Sequence, residues 1–238
     1  HAFAGELFST WKDRDVDYFH LHMLELLCYT VDERPVDASE EVLALLREAI
    51  AYCRDNPRPY DDMQMQLASI FDGLLCRLWD MGFNDTVREM VTIMEGYITD
   101  PGRDIPYAMH SIFRFRKGMV DLTLGDGIDS ARGSFEAVVE FHDTLKDAGP
   151  FTVFRSMIST MVLYRHGLLD EKGLARIIAA VPTLFLNKTI DKHDVVELLS
   201  YAMYAYMRDK PFKDAKDFVF DHTGVVLDID EDGVLDLW

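Results

Sequence analysis

Cysteine is scarce in this 238-residue chain, at three residues, Cys28, Cys53 and Cys76. They are widely spaced, form no CxxC and are odd in number, which excludes a disulfide framework and a finger-type zinc site. Each lies in an apolar helical setting (Leu26-Leu27-Cys28, Leu74-Leu75-Cys76), so buried thiols in a reducing, cytoplasmic compartment are expected. Long apolar runs are missing as well. No stretch of about 18 uncharged apolar residues occurs, so no membrane-spanning helix is expected. The first residues, His1-Ala2-Phe3-Ala4-Gly5-Glu6, show no basic region followed by an apolar run, and no signal peptide is expected. The start without Met suggests an excerpt of something longer.

Cations are in deficit. Lys and Arg number 24 against 42 Asp and Glu, a formal net charge of -18. Nucleic acid as a direct partner is disfavoured, because binding it rests on Lys and Arg neutralising phosphates. The excess is uneven, with balances of -7 in residues 1–50 and again in 214–238. It serves solubility, and it also suits a basic protein or peptide partner.

Catalytic motifs are absent too. There is no GxSxG, P-loop, GxGxxG or HExxH, nor a pair of ExxH motifs. His22 with Glu25, and His193 with Glu197, could each share a helix face, but one such pair makes no metal site. Asp61-Asp62 lacks the third Asp of an isoprenoid-synthase motif. No cofactor is expected.

What the chain does have is a rhythm. Candidate helices open near Asp15, Asp61, Pro106, Phe151 and Asp191, about every 40 to 46 residues. After the second to fifth of these stand, in turn, Gly82-Phe83-Asn84-Asp85, Gly127-Ile128-Asp129, Gly167-Leu168-Leu169-Asp170 and Pro211-Phe212-Lys213-Asp214. Gly ends a helix in the left-handed conformation and Asp caps the next. Apolar residues at helical spacing place helices over Asp15–Val31, Asp37 to about Cys53, Asp61–Met81, Asp85–Ile98, Pro106–Leu124, Ile128–Lys146, Phe151–Arg165, Asp170–Leu186, Asp191–Met207 and Asp214–Phe220. Pro182 should kink or shorten the eighth of these. Val225-Val226-Leu227 and Val234-Leu235 flank Asp230-Glu231-Asp232-Gly233 and read as a small acidic hairpin. A helical period in this range implies an α-solenoid, residues 1–220, with the hairpin or tail over 221–238.

The third pair, Arg114 to Val138, resembles a tetratricopeptide repeat. Gly118 matches the small residue of the family's first helix, Gly125-Asp126 the turn, and Ala131 and Phe135 the small and aromatic positions of the second helix. Gly127 adds one residue to the turn, and Arg114 and Val138 replace the usual Trp and Ala. Phe212-Lys213-Asp214-Ala215 echoes the second-helix opening. The resemblance covers about 30 residues. It implies an all-α, right-handed solenoid of about five antiparallel helix pairs whose first helices line a concave face. The family's carboxylate clamp is not carried over, because Phe115 and Met119 occupy clamp-type positions.

On those first helices, Tyr201, Met203 and Tyr204 are adaptable apolar candidates for partner binding, and Arg114 and Arg116 supply positive charge. Asp228, Asp230 and Asp232 with Gly233 mimic the start of a calcium loop, although the closing acid would fall beyond Trp238. The expected function is a non-catalytic module that binds a protein or peptide. Two alternatives stay open: a ligand-sensing domain of a bacterial regulator whose DNA-binding part is absent, and an enzyme whose polar site no motif reveals.

Overall fold

The computed structural model describes residues 38–55, 62–100, 105–144 and 150–235. The helix expected over Asp15–Val31, and Cys28 with it, lie outside them. The described residues are all-helical, and among them there is no strand. The chain divides into two compact units, residues 1–124 and 125–238.

In the first unit, α1 is Ala38–Asp55, α2 is Asp62–Asp80, α3 is Asn84–Ile98 and α4 is Tyr107–Leu124. The apolar stripes read from the sequence are the buried stripes. Val42, Leu45, Leu46, Ala49, Ile50 and Cys53 of α1 are all buried, as are Leu67, Ile70, Phe71, Leu74, Leu75 and Leu78 of α2. Such residues at i, i+3, i+4 and i+7 fall on one side of a 3.6-residue period, and burying each contributes about 1.5–3 kcal/mol. α1 packs on α2 and α3, α2 on α3 and α4, and α3 on α4. Phe71 and Phe113 join α2 to α4, their ring centroids 6.4 Å apart. Cys53 is buried, Cys76 half-buried, and both are free thiols.

The second unit holds α5 (Ile128–Thr144), α6 (Pro150–Arg165), α7 (Glu171–Ile178), α8 (Val181–Leu186), α9 (Lys192–Tyr206), α10 (Phe212–Thr223) and α11 (Glu231–Leu235). α6 packs against α5, α7 and α9. It is consequently buried on nearly every side, and its small residues Ser156, Ser159 and Thr160 sit at 0–1% exposure. Small side chains there let neighbouring helices approach closely. α9 packs further on α7, α8, α10 and α11, and α10 also meets α7.

The punctuation is real, with exceptions. Gly82, Gly127 and Gly167 take left-handed φ of 81°, 75° and 75°. Asp170 caps α7 by accepting from the Gly173 N–H at 2.9 Å. Asp191 and Asp194 form a reciprocal capping box at α9, with bonds of 2.9 and 2.8 Å. Asp85 and Asp214 do not cap. α3 starts one residue earlier, behind Phe83, and α10 starts behind Pro211, each without a side-chain cap. Pro211 lacks an N–H and fixes φ at -68°, so the helix starts directly after it.

Two expected elements differ. The helix over Asp170–Leu186 is two helices, broken at Ala179-Ala180, and Pro182 sits in the first turn of α8, where its missing N–H costs nothing. The C-terminal hairpin is not formed. α10 runs on to Thr223 and ends at Gly224, a left-handed cap with φ 69°. Residues 224–230 carry no regular structure, and α11 follows. Asp230 accepts from the Gly233 N–H at 2.9 Å, the geometry of a helix start. Gly233 does not take the left-handed φ that a tight hairpin turn requires. Val234 is fully buried, and α11 packs on α9, which favours the helix over an exposed ribbon.

Candidate functional site

The five expected partner-binding residues fall in different units: Arg114 and Arg116 in the first, Tyr201, Met203 and Tyr204 in the second. In the first unit the cations are already matched. Arg116 faces Asp72 side-on with two nitrogens, Nη2 donating to Oδ2 at 3.2 Å and Nε to Oδ1. This charge-assisted pairing holds the guanidinium protonated even though burial opposes it. Arg114 lies 4.0 Å from Glu95, and Lys117 lies 3.5 Å from Glu95 and 3.0 Å from Asp121. α4 thus presents a neutralised lattice rather than a bare basic patch.

In the second unit, Met203 is fully buried. It packs in the core and also forms part of the wall of the pocket described below. Tyr201 and Tyr204, three apart on α9, are half-buried. Burial, and then a hydrogen bond to the Glu197 carboxylate, pushes the Tyr201 hydroxyl up to about 12. The Tyr204 ring carries the Arg165 guanidinium 4.0 Å from its centroid.

Arg165 and Arg208 organise this end of the unit. Arg165, the last residue of α6, donates to the Tyr204 carbonyl at 3.0 Å, and Arg208, just past α9, donates to the Tyr164 carbonyl at 2.6 Å. Behind them runs an aromatic column. Tyr164 and Tyr206 stack at 6.1 Å, Tyr206 and Phe218 at 4.1 Å, and Phe218 meets His222 at 4.5 Å. The Tyr206 hydroxyl donates to Glu171 at 3.2 Å.

Beside this column lies a pocket of about 290 Å³. Met203 and Val219 form its buried wall, and Phe220, Val225, Val226 and Leu227 complete it with Lys216 and Asp217. Phe220 and Val226 are 50% and 78% exposed at the pocket. Lys216 folds the 224–230 segment onto α10, its Nζ donating to the Ile229 carbonyl at 3.1 Å. Sequence reasoning missed this pocket. It placed Phe220 at a helix end and Val225–Leu227 in a strand.

Among the described residues, no three His, Cys, Asp or Glu side chains converge as a metal site. Asp228, Asp230 and Asp232 do not wrap a calcium loop, because Asp230 caps α11 and Gly233 lies inside that helix. No described helix is long and apolar enough to cross a membrane. The chain matches no protein-family model, no curated protein and no solved structure.

Proposed function

We propose that the chain is a non-catalytic helical-repeat module that binds a protein or peptide. The observation that carries this reading is the apolar pocket between α10 and residues 225–227, with Phe220 and Val226 left exposed beside it. Large apolar side chains at a concavity gain about 25 cal/mol per Å² when a partner covers them. The repeat part of the proposal draws support from the order of packing. Within the second unit, consecutive helices α6 and α7 pack together, as do α9 and α10, while α6 meets α9 and α7 meets α10. First helices meeting first helices, and second meeting second, is what stacked antiparallel pairs of a tetratricopeptide-like array would produce.

The test is selection from a displayed library of random ten-residue peptides on the immobilised protein. Enrichment of sequences with a large apolar residue, lost in Val226→Glu with an unchanged melting curve, is the expected result. Enrichment no better than on bare support, or equal enrichment on the variant, would sink the reading. The pocket would then suit a small apolar molecule, as in a sensor domain.

A further inference from the structure

We propose that this pocket is selective for an apolar anchor flanked by basic residues: one large side chain enters it, and neighbouring Lys or Arg meet carboxylates of α10. The inference rests on the peptide-binding reading and adds the partner's chemistry.

Size comes first. A volume of 290 Å³ stands at the lower edge of small-molecule pockets, which run from about 300 to 1,000 Å³. It suits one bulky side chain of a peptide better than a larger free ligand. The lining is apolar in effect as well as in composition. Lys216 is its one cation, and that ammonium is engaged by the Ile229 carbonyl and lies 5.5 Å from the Phe212 ring. Its methylene stem therefore contributes to the wall while its ammonium is engaged by the Ile229 carbonyl.

Charge at the rim has the opposite sign. On α10, Asp217, Phe220 and Asp221 stand at i, i+3 and i+4, so they share one face, and all three are exposed. Asp217 itself lines the pocket. Among the described residues, neither Asp217 nor Asp221 has an ion-pair partner. Residues 211–235 carry seven carboxylates against two lysines, Lys213 and Lys216. An incoming anion is repelled by this field, and an incoming cation is steered to the carboxylates beside Phe220. Because these acids stay hydrated, they select the partner and speed encounter, while the buried anchor holds it.

The experiment uses three ten-residue peptides and the isotope-labelled protein, read by chemical-shift titration. One peptide carries a single Phe flanked by two Lys on each side, the second has Glu for Lys, and the third has Ser for Phe. The Lys–Phe peptide should shift the signals of Phe220, Val226 and Leu227. Replacing Lys by Glu, or Phe by Ser, should weaken it by about tenfold or more, and about 0.5 M salt should weaken it as well. In the Asp217→Lys/Asp221→Lys variant the preference should invert, with the Glu peptide gaining what the Lys peptide loses. A gain of that kind also shows that the variant is folded. If the Glu peptide binds the parent pocket as tightly as the Lys peptide, the basic preference is overturned while the peptide reading stands. If the Lys–Phe peptide binds without moving Phe220 or Val226, the site is overturned. If none of the peptides binds, both fall.

Discussion

Arg165 and Arg208 are reciprocal caps. Arg165, the last residue of α6, donates to the Tyr204 carbonyl in the last turn of α9, and Arg208, just past α9, donates to the Tyr164 carbonyl in the last turn of α6. Each also lies over the ring whose carbonyl it binds, at 4.0 Å for Arg165 on Tyr204 and 5.3 Å for Arg208 on Tyr164. Helix C-termini leave their last carbonyls without intrahelical partners, and a cation there is favoured by the helix dipole. A guanidinium supplies several donors in a plane, so Arg208 also reaches the Arg165 carbonyl at 3.2 Å while stacking. The arrangement ties the ends of α6 and α9 side by side.

Replacing Arg208 should therefore loosen both helix ends. Charge-assisted hydrogen bonds of this kind are worth about 1.5–3 kcal/mol, reduced here by partial exposure. Arg208→Ala is expected to cost about 1–2 kcal/mol, lowering the melting temperature by about 2–4 °C for each kcal/mol. Arg208→Lys should recover only part of this, because an ammonium cannot bond two carbonyls and stack at once. Identical melts for Ala, Lys and parent would show the exchange to be idle.

Gly167 stands where a side chain would meet the same arginine. Its φ is +75°, and a Cβ built on it would lie 3.3 Å from Arg208 Nη1. Left-handed backbone alone costs an L-residue about 1–2 kcal/mol. Gly167→Ala should lose at least that, and the loss should shrink in an Arg208→Ala background, where the crowding atom is gone. A double-mutant cycle by denaturant titration reads the difference, and strict additivity would dissociate the two residues.

The helices were legible because their burial is periodic. On α1 and α2 every apolar residue expected at the core is there, since each helix buries a stripe that a 3.6-residue period reveals. α9 defeats this reasoning. It is covered by α6, α7, α8, α10 and α11, so Met203 in its core and Tyr201 and Tyr204 at its margin look alike in sequence. The pocket was illegible for a different reason. It forms where residues 225–227 fold back beside α10, with Lys216 bonded to the Ile229 carbonyl 13 residues on, and a fold-back of irregular chain leaves no periodic trace. The hairpin was misread because β-branched residues and Asp-Gly signal strand and turn locally, whereas burial of Val234 and the Asp230 cap select a helix.

The aromatic column should lose stability at alkaline pH. Burial, and then the charge of Glu171, pushes the Tyr206 hydroxyl up to about 12 from its ordinary 10. A phenol whose folded value is raised binds its proton more tightly when folded. Its contribution is complete below pH 10 and is lost as pH rises from 10 through about 12. Burial raises Tyr164 as well. Tyr206→Phe should cost about 0.5–1.5 kcal/mol at pH 7, for the lost bond to Glu171. That deficit should narrow steadily between pH 10 and 12, because only the parent must ionise the buried hydroxyl. Melts collected from pH 8 to 12 would contradict this if the two curves stay parallel.

Arg116 tests whether α4 binds or braces. Its guanidinium and Asp72 are each 24% exposed, between a surface pair and a buried one. Exposed pairs contribute about 0–1 kcal/mol, whereas breaking a buried pair costs about 3–5. Arg116→Ala is accordingly expected to cost about 1–3 kcal/mol by leaving the Asp72 carboxylate without its partner. Asp72→Ala should cost a similar amount by stranding the cation. The double variant should be less damaged than the sum, because neither charge is then left alone. Additive single losses would show that Arg116 and Asp72 are not coupled.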